Sequence, residues 1–354
     1  MKKTIKWLLC LTLLVQVAAL PVAAAALPDS VIPGGHTIGI KILAGGLLII
    51  DTMPVETEKG EKNPAIDAGL AIGDVITTIE GEPADTTEKL AALLASNGGE
   101  AVTVRYLRGG NERSAKLTPA LSAQDGKYKI GAWVRDGMAG IGTVTFYDPE
   151  SGLFGALGHG VNDVDTGLLL PLGSGQALYS AVESVRMGKP GQPGELRGTF
   201  RTDKTYGSIE QNTDSGIFGF MSSPEALGEA LPAPLPVARA DEVKPGKAAI
   251  LANVEGGGVR EYEIEITRIY SGEKDDRSFM IRVTDPALLA ITGGIVQGMS
   301  GSPILQNGKL AGAVTHVLIN DPSRGYGIFM EHMLSEGLAA IESSITSQSG
   351  GAAA

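Results

Sequence analysis

Cysteine is nearly absent from this 354-residue sequence, in which Cys10 is the only copy. Cys10 lies in an apolar N-terminal stretch, so the rest of the chain has no disulfide, no thiol nucleophile and no cysteine metal ligand. Basic residues are also scarce, with 29 Lys and Arg against 40 Asp and Glu and a net charge of −11. Phosphate binding needs clustered Lys and Arg, so no nucleic-acid partner is expected. No metal or cofactor is indicated either.

Aromatic residues are few as well, at 5% of the chain, whereas glycines number 49. Many glycines among short apolar runs favour tight turns and close strand crossings, which indicates a mainly β fold rather than a helical bundle. At roughly 150 residues per domain, the length predicts about two domains.

Residues 1–26 have the pattern of a secretory signal peptide. Three lysines precede an apolar run over 7–20, and a stretch of small residues follows it. Cleavage near Ala25 or Ala26 is predicted, although the run is nearly long enough to remain in the membrane as an anchor. Both alternatives place the rest of the chain outside the cytoplasm.

Residues 34–119 contain a recognisable order of elements. Two apolar segments within 33–50 alternate as strands, and a short helix, a Gly-Asp turn and a buried strand come next. A capped helix over 86–96 then precedes two strands joined by a glycine-containing turn. Together with Ala68-Gly69-Leu70 and Gly73-Asp74-Val75-Ile76, this order resembles a PDZ domain.

The PDZ resemblance implies a groove that binds a peptide. In PDZ domains an apolar-Gly-apolar loop presents backbone N–H groups to a peptide carboxylate, and the peptide adds as a strand beside a helix. Ile38-Gly39-Ile40 would be that loop, and Leu90 and Leu94 would flank the groove. The alternative is that these glycines serve strand packing only.

Residues 136–345, after a polar connection over 120–135, are rich in glycine and short apolar strands. No helical stretch is long enough for an α/β sheet, so a β-barrel or β-sandwich domain is expected. The final segment, 346–354, is rich in Ser, Gly and Ala and is predicted to be a disordered tail. The strand pattern is clearest over 140–146, 248–254, 261–269, 279–283 and 309–319.

A candidate nucleophile lies in the hexapeptide Gly-Met-Ser-Gly-Ser-Pro at 298–303. A serine attacks a carbonyl only when a base removes its proton and donors stabilise the oxyanion that forms. Glycines on both sides of Ser300 allow a tight turn that presents Oγ, with the N–H groups of Gly298 and Ser300 directed at one point. Ordinary turns can share this composition, so the hexapeptide alone does not establish catalysis.

The base is sought among four histidines, His36, His159, His316 and His332. His36 falls in the PDZ-like region and His332 in a predicted C-terminal helix, where a surface role is favoured. His159 is flanked by glycines in a loop after a strand, where an imidazole can be reached from several sides. His159 is therefore the candidate base.

Thr315 and His316 lie in the apolar stretch 311–318, which is predicted to be the strand next after the nucleophile loop. His316 is either a satisfied strand histidine or, with Thr315, part of the wall of a pocket for the substrate side chain.

The signal segment, the PDZ-like region and three further motifs resemble the stage IV sporulation protein B serine peptidases. These motifs are GHGVNDVDTG at 158–167, GMSGSP at 298–303 and GAVTH at 312–316. That family is a branch of the trypsin-like peptidases, so the resemblance implies a trypsin-like double β-barrel peptidase domain after the PDZ domain. It also implies that His159 is the catalytic His and Ser300 the catalytic Ser.

The same resemblance implies that the third catalytic residue is Asp285. An orienting carboxylate should hold the imidazole in the right tautomer, and the chain order His, Asp, Ser agrees with trypsin-like peptidases. Asp163, Asp165 and Asp214 are rivals, and Asp285 could instead cap the helical turn that begins at Pro286.

The resemblance further implies a secreted, self-cleaving endopeptidase of sporulation signalling. It would leave the forespore for the space between the two membranes and cut the extracytoplasmic part of a membrane-bound regulator, which activates an intramembrane protease controlling a late sigma factor. The PDZ domain would bind a peptide, either the chain's own N-terminal region or a partner. Two alternatives are a Deg-type envelope quality-control protease, in which the PDZ domain follows the peptidase, and a non-catalytic PDZ adaptor.

Overall fold

A computed structural model describes residues 27–222, 231–270 and 276–350, of which the last seven are described as helix backbone only. The predicted signal segment 1–26, with Cys10, lies outside the described residues, and so does the end of the predicted tail, 351–354. Within the described ranges, no helix is both long and apolar enough to span a bilayer.

The described residues form twenty-two strands and four helices. The strands are β1 (Ser30–Pro33), β2 (Thr37–Thr52), β3 (Val55–Thr57), β4 (Gly60–Lys62), β5 (Val75–Ile79), β6 (Glu82–Pro83), β7 (Val102–Arg108), β8 (Asn111–Leu117), β9 (Ala120–Leu121), β10 (Tyr128–Lys129), β11 (Ala132–Tyr147), β12 (Leu153–Ala156), β13 (Ser174–Arg186), β14 (Glu195–Thr213), β15 (Gly216–Met221), β16 (Leu235–Pro236), β17 (Gly246–Ala252), β18 (Arg260–Ile269), β19 (Phe279–Val283), β20 (Pro303–Gln306), β21 (Lys309–Leu318) and β22 (Asp321–Phe329). The helices are α1 (Pro64–Asp67), α2 (Thr87–Ser96), α3 (Pro286–Thr292) and α4 (Met330–Gly350).

Local sequence accounts for several of these boundaries. Helix α2 begins after Thr86, whose side chain accepts a hydrogen bond from the N–H of Lys89, as an N-cap does. Helix α3 ends at Gly293, which has a left-handed φ of 74° that glycine adopts without strain. The hairpin between β7 and β8 turns at Gly109 and Gly110, both with positive φ, as a tight hairpin turn requires.

Six strands close into a first barrel. Strand β2 pairs with β11 on one side and with β13 on the other, and the ring continues through β14 and β15 to β12, which pairs with β11. Closure leaves the ring without a free edge strand. Ile38, Phe154 and Ile217 are among the fully buried side chains of its core.

A second closed barrel has the strand order β17-β18-β19-β22-β21-β20. Its core contains Ile250, Phe279 and Val314, none of which is exposed. The prediction of a mainly β chain with a double β-barrel is confirmed, and the strand predicted over 279–283 has the same bounds as β19.

The PDZ-like domain is inserted between two strands of the first barrel. Strands β2 and β11 continue side by side beyond the ring, where Thr52 pairs with Ala132, and β5, β7 and β8 extend the sheet from β2. The PDZ-like elements precede most strands of the two barrels in sequence, in agreement with the predicted order of a PDZ domain followed by a peptidase domain. The predicted boundaries at 34 and 136 are wrong, however, because the first half of β2 belongs to the first barrel and β11 begins at Ala132.

The predicted carboxylate-binding loop Ile38-Gly39-Ile40 is therefore also wrong. These residues lie inside β2 and are paired on both sides, with β11 and with β13. A Cβ on Gly39 would come within 2.5 Å of Phe200 Cβ, so this glycine permits close strand packing. That is the alternative which the sequence left open.

Leu90 and Leu94 do not flank an open groove. Both are buried in the core of the PDZ-like domain, in one cluster with Ile130 and with the partly buried Tyr128. Tyr128 of β10 and Ile130, which follows β10, thus pack in the same cluster as the two leucines that the sequence predicted to flank a bound peptide.

Helix α4 corrects the prediction for the tail. It continues to Gly350, so residues 346–350 are helical rather than disordered. Its first turns pack Met333 and Leu334 against Phe146 and Phe218 of the first barrel. These apolar contacts stabilise the start of the helix.

Candidate active site

The candidate base is held at the end of β12 by an unusual turn. Leu157 has a φ of 71°, and the N–H of Gly158 donates to the carbonyl of Ala156 at 2.9 Å. A hydrogen bond that spans one residue of positive φ is a γ-turn of the rare, strained kind. Because Leu157 is buried, packing holds this strained turn in place and fixes the direction in which His159 leaves the barrel.

The candidate nucleophile lies on the second barrel, in the loop between α3 and β20. Gly298 and Gly301 have φ values of 96° and 94°, which side chains other than glycine rarely adopt. A Cβ on Gly301 would come within 2.1 Å of the carbonyl oxygen of Thr143, so only glycine fits there. Met299 is completely buried in the core of the second barrel and so anchors the loop.

Two threonines of the first barrel bind this loop. Thr143 Oγ1 donates to the carbonyl of Gly298 at 2.7 Å, and Thr145 Oγ1 donates to that of Gly301 at 2.8 Å. The N–H of Thr143 also donates to the carbonyl of Ser300 at 3.0 Å. Strand β11 therefore fixes the nucleophile loop relative to the barrel that carries His159, a role that no sequence motif indicated.

Hydrogen bonds define the resting positions of both side chains. His159 Nδ1 lies 2.7 Å from the carbonyl oxygen of Gly160. A carbonyl can only accept, so Nδ1 carries the proton and Nε2 of the neutral ring is an acceptor, as a general base requires. Ser300 Oγ donates to the carbonyl of Thr315 at 2.8 Å, so the serine rests on β21.

Backbone donors suited to an oxyanion lie in the same loop. The neighbouring N–H groups already have acceptors: that of Met299 donates to the carbonyl of Val296 in the loop, and that of Gly301 donates to the carbonyl of Val314 on β21. For the N–H groups of Gly298 and Ser300, by contrast, no acceptor is found among the residues that the structure describes. These are the two donors that the sequence predicted.

A second imidazole and a carboxylate lie beside His159. The rings of His159 and His316 are 4.9 Å apart between centroids, and His316 Nδ1 lies 3.5 Å from Asp276 Oδ2. Burial lowers the pKa of His159 below its ordinary value, and this effect outweighs the carbonyl of Gly160 and the negative charge of Asp276, which both raise it. His159 is therefore neutral, and able to act as a base, at near-neutral pH.

A cavity of about 520 Å³ separates the two barrels at this point. His159 and Ser300 line it together with the predicted pocket residues Thr315 and His316. Ile40, which the sequence assigned to a PDZ groove, lines it as well. Apolar side chains from both barrels complete the wall: Met138, Ile141, Leu157, Val161, Ile295, Val296, Val317 and Ile319.

Comparison with known proteins agrees with this arrangement. The family model for SpoIVB peptidase S55 matches residues 126–334, more than half of the chain. The chain belongs to the SpoIVB peptidase S55 family. A PDZ domain model matches residues 54–118, which lie between β2 and β11 and agree with an inserted domain.

More distant similarities involve parts of this S55 peptidase. The Bartonella henselae protein BH06270, described as a zinc metalloprotease, is 28% identical over 98 residues, which are 28% of this chain and 26% of that protein. The matched part of the chain thus spans about a quarter of that relative's length. Among the described residues, no three His, Cys, Asp or Glu side chains are grouped so that they could hold a metal ion.

Three solved structures are also similar to the S55 peptidase. The PDZ domain of the SdrC-like protein from Listeria monocytogenes is 24% identical, with 25% of this chain and 87% of that chain covered and a TM-score of 0.21. The Rv3671c protease from M. tuberculosis in its active form is 19% identical, with 58% and 74% covered and a TM-score of 0.35. The HtrA-type protease AlgW with a decapeptide is 17% identical, with 58% and 54% covered and a TM-score of 0.34.

The structure places Asp285, the predicted third catalytic residue of the S55 peptidase, at the start of α3. Asp285 is the N-cap of α3: its Oδ1 accepts from the N–H groups of Ala287 and Leu288 at 2.9 Å, and its Oδ2 from that of Glu263 at 3.3 Å. Asp285 therefore caps the helix, as the alternative reading of the sequence suggested. Nδ1 of His159 is hydrogen-bonded to the carbonyl of Gly160 and not to a carboxylate. The carboxylate whose charge acts on His159 is Asp276, which the sequence did not single out.

The rival carboxylates also have other partners. Asp163 has no exposed surface and forms an ion pair with Arg135 at 2.6 Å, while Asp165 contacts the same guanidinium from the surface. Burial would raise the pKa of Asp163, but hydrogen bonds from Thr166 and Asp165 and the charge of Arg135 together lower it. Asp214 is exposed in the turn between β14 and β15.

Proposed function

We propose that this protein is a serine endopeptidase in which Ser300 is the nucleophile and His159 the general base. The observation that carries the proposal is that the two residues, one on each barrel, line one cavity with two available backbone donors. Membership of a peptidase family and the neutral, Nδ1-protonated His159 support it.

The reaction follows from these positions. A bound peptide places its scissile carbonyl against the loop, and Ser300 Oγ turns from the carbonyl of Thr315 towards Nε2 of His159. The imidazole takes the hydroxyl proton as Oγ attacks, and the N–H groups of Gly298 and Ser300 stabilise the oxyanion. His159 then gives the proton to the leaving amine, and water hydrolyses the acyl-enzyme by the same route.

Asp276 stabilises the imidazolium that forms during this reaction. Its negative charge raises the proton affinity of His159, which favours the charged ring in the transition state. The tautomer needs no carboxylate, because the carbonyl of Gly160 already fixes it.

Labelling with a fluorophosphonate tests the activity. Wild-type protein should be labelled, and Ser300→Ala and His159→Ala should not. Ser302→Ala is the matched control: Ser302 lies two residues away, is fully buried, and its hydroxyl has no hydrogen-bond partner among the described residues. Absence of wild-type labelling, or labelling of Ser300→Ala, would rule the proposal out.

The apolar wall of the cavity indicates the substrate. Side chains beside the scissile bond should be apolar, because charged groups would lose their hydration without a partner there. Digestion of a peptide library, read by mass spectrometry, should show cleavage next to aliphatic or aromatic residues. Equal cleavage beside Asp, Lys and Leu would contradict this.

The biological setting is proposed on family membership. The protein would be exported from the forespore, cleave itself, and cut a membrane-anchored regulator so that an intramembrane protease activates a late sigma factor. A polypeptide ligand of the PDZ domain, whether the chain's own N-terminal region or a partner, belongs to this proposal but needs a surface other than Ile38-Gly39-Ile40.

Complementation in the native host tests that setting. Deletion of the gene should lower activity of a reporter for the late sigma factor, and wild type and Ser302→Ala should restore it. Restoration by Ser300→Ala would favour a scaffolding role over proteolysis.

A further inference from the structure

We infer that Arg135 is a positioning residue for catalysis: by pairing with Asp163, it holds the loop that follows His159 against β11, the strand that leads from the PDZ domain into the first barrel. The inference rests on the proposed serine peptidase activity. It assigns a role to an ion pair that the catalytic steps leave unexplained.

The loop 160–173, which connects His159 with β13, is organised around Asp163. Oδ1 of Asp163 accepts hydrogen bonds from the N–H groups of Asp165 at 3.1 Å and Thr166 at 2.9 Å, and from Thr166 Oγ1 at 3.0 Å. On the other side, Asn212 bonds both the N–H and the carbonyl of Val161. The loop thus has a defined conformation, and the partner of the buried Asp163 carboxylate helps to set its position.

Arg135 makes that contact from strand β11. Its Nε lies 2.6 Å from Asp163 Oδ2, and the side chains are 26% and 0% exposed. A carboxylate without exposed surface needs a cation beside it. Arg135 supplies this charge to the buried Asp163.

Arg135 lies where the first barrel meets the PDZ domain. It pairs with Leu48 of β2, next to a shift in register after which Gly137 pairs with Leu43. The end of the loop rests on this irregularity, because a Cβ on Gly173 would be 2.2 Å from Gly45 Cα. The loop therefore contacts the junction between the first barrel and the PDZ domain at two points, Asp163 and Gly173.

The PDZ domain itself touches the same loop. Leu168 Cδ1 would lie 3.1 Å from a Cβ built on Gly73, and Leu170 shares a core cluster with Val75 of β5. Loss of the Arg135–Asp163 ion pair would therefore shift the loop relative to both the barrel and the PDZ domain, and His159 immediately precedes this loop.

Displacement of a general base affects the chemical step more than substrate binding. A misplacement of about 1 Å costs up to about 100-fold in rate. Loss of the ion pair should accordingly lower kcat and leave KM nearly unchanged. Loss of folded protein would lower the apparent kcat too, so the folded fraction must be measured for each variant.

Asp163→Asn is the decisive variant, and Asp165→Asn is its matched control. Asparagine at 163 keeps Oδ1 as an acceptor for the turn, removes the negative charge, and replaces Oδ2 by an NH2 group that cannot accept from Arg135. Asp165 meets the same guanidinium but its side chain is 56% exposed, where an ion pair contributes little. kcat and KM on a cleaved peptide, fluorophosphonate labelling rates and thermal melting are compared for both variants in the full chain.

Asp163→Asn should lower kcat and the labelling rate about 10- to 100-fold with KM within about 2-fold, while Asp165→Asn stays near wild type. Arg135→Met combined with Asp163→Asn should be folded and equally slow, because no buried charge is left unpaired. Wild-type kcat in either folded variant would overturn the inference. An unreactive wild-type protein would instead refute the proposed activity.

Discussion

At the scale of single residues, His159 obtains its tautomer and its charge partner from two different groups. In a Ser-His-Asp triad one carboxylate accepts from Nδ1 and also stabilises the imidazolium. Here Nδ1 donates to the carbonyl of Gly160, and Asp276 acts on the ring through its charge. Asp276 should therefore matter for the rate and Asp285 for the fold.

Substitution by asparagine separates these two carboxylates. Asp276→Asn should lower kcat/KM roughly 10- to 100-fold, since one stabilising charge is lost. Asp285→Asn should keep near-wild-type activity, because asparagine caps a helix about as well as aspartate. Asp285→Ala should lower the free energy of unfolding by about 1 kcal/mol. Inactive but folded Asp285→Asn would restore Asp285 to the triad.

The pH dependence reports the pKa of His159. Because burial lowers this pKa, the acid limb of kcat/KM should lie below the unperturbed value of about 6.5. Asp276 raises the same pKa, so Asp276→Asn should move the limb to still lower pH. His159 of the unfolded chain has the higher pKa and takes up its proton first. The free energy of unfolding should therefore decrease as pH falls below the unperturbed value of about 6.5. An acid limb above it would contradict the burial argument.

At the scale of elements, β11 does more than any other strand to build the site. One end of it carries Thr143 and Thr145, which bind the nucleophile loop, and the other end carries Arg135. Its middle lies beside Ile40 of β2 in the ladder that closes the first barrel. Shifts of this strand would move the base and the nucleophile loop together.

Thr145 tests the attachment of the nucleophile loop. Thr145→Val keeps the shape but leaves the buried carbonyl of Gly301 without this donor, which should cost about 1–3 kcal/mol. It should also lower kcat, because the loop can then move. Thr145→Ser retains the hydroxyl and should stay close to wild type. Equal kcat and melting temperature for the two variants would show that the hydrogen bond has no role.

The sequence identified several elements well and assigned others wrongly, Ile38-Gly39-Ile40 and the start of the tail among them. Strand β19 and helix α2 were predicted nearly to the residue, because alternation, leucine spacing and a threonine cap are local signals. Ile38-Gly39-Ile40 has the composition of a PDZ loop and also that of a barrel strand crowded by Phe200. Only the pairing partners distinguish the two, and those lie about 100 and 140 residues further along the chain.

At the scale of the whole molecule, the peptidase domain is discontinuous in sequence. The first barrel needs β2, which comes before the PDZ insertion, and both β11 and β13 pair with it. The PDZ domain is joined to the barrel through two continuous strands rather than through a linker.

Truncation tests this architecture. The fragment 136–345, which the sequence suggested as a complete domain, should fail to fold cooperatively and should not be labelled by a fluorophosphonate, since its first barrel is open. Residues 27–354 should melt cooperatively and be labelled. Labelling of the fragment at the rate of the longer chain would show that β2 is dispensable.

Local patterns in the sequence determined the mainly β composition and the family, and they predicted the nucleophile and the base. These features depend on short motifs, such as glycines around Ser300, in which the chemistry and the backbone conformation are encoded together. Tertiary structure decided that Asp285 caps a helix, that Asp276 acts on His159, that Arg135 pairs with Asp163, and that the PDZ domain is an insertion. Each of these depends on contacts between residues far apart in the chain, and a single sequence records which groups are present but not which of them closure of the barrels brings together.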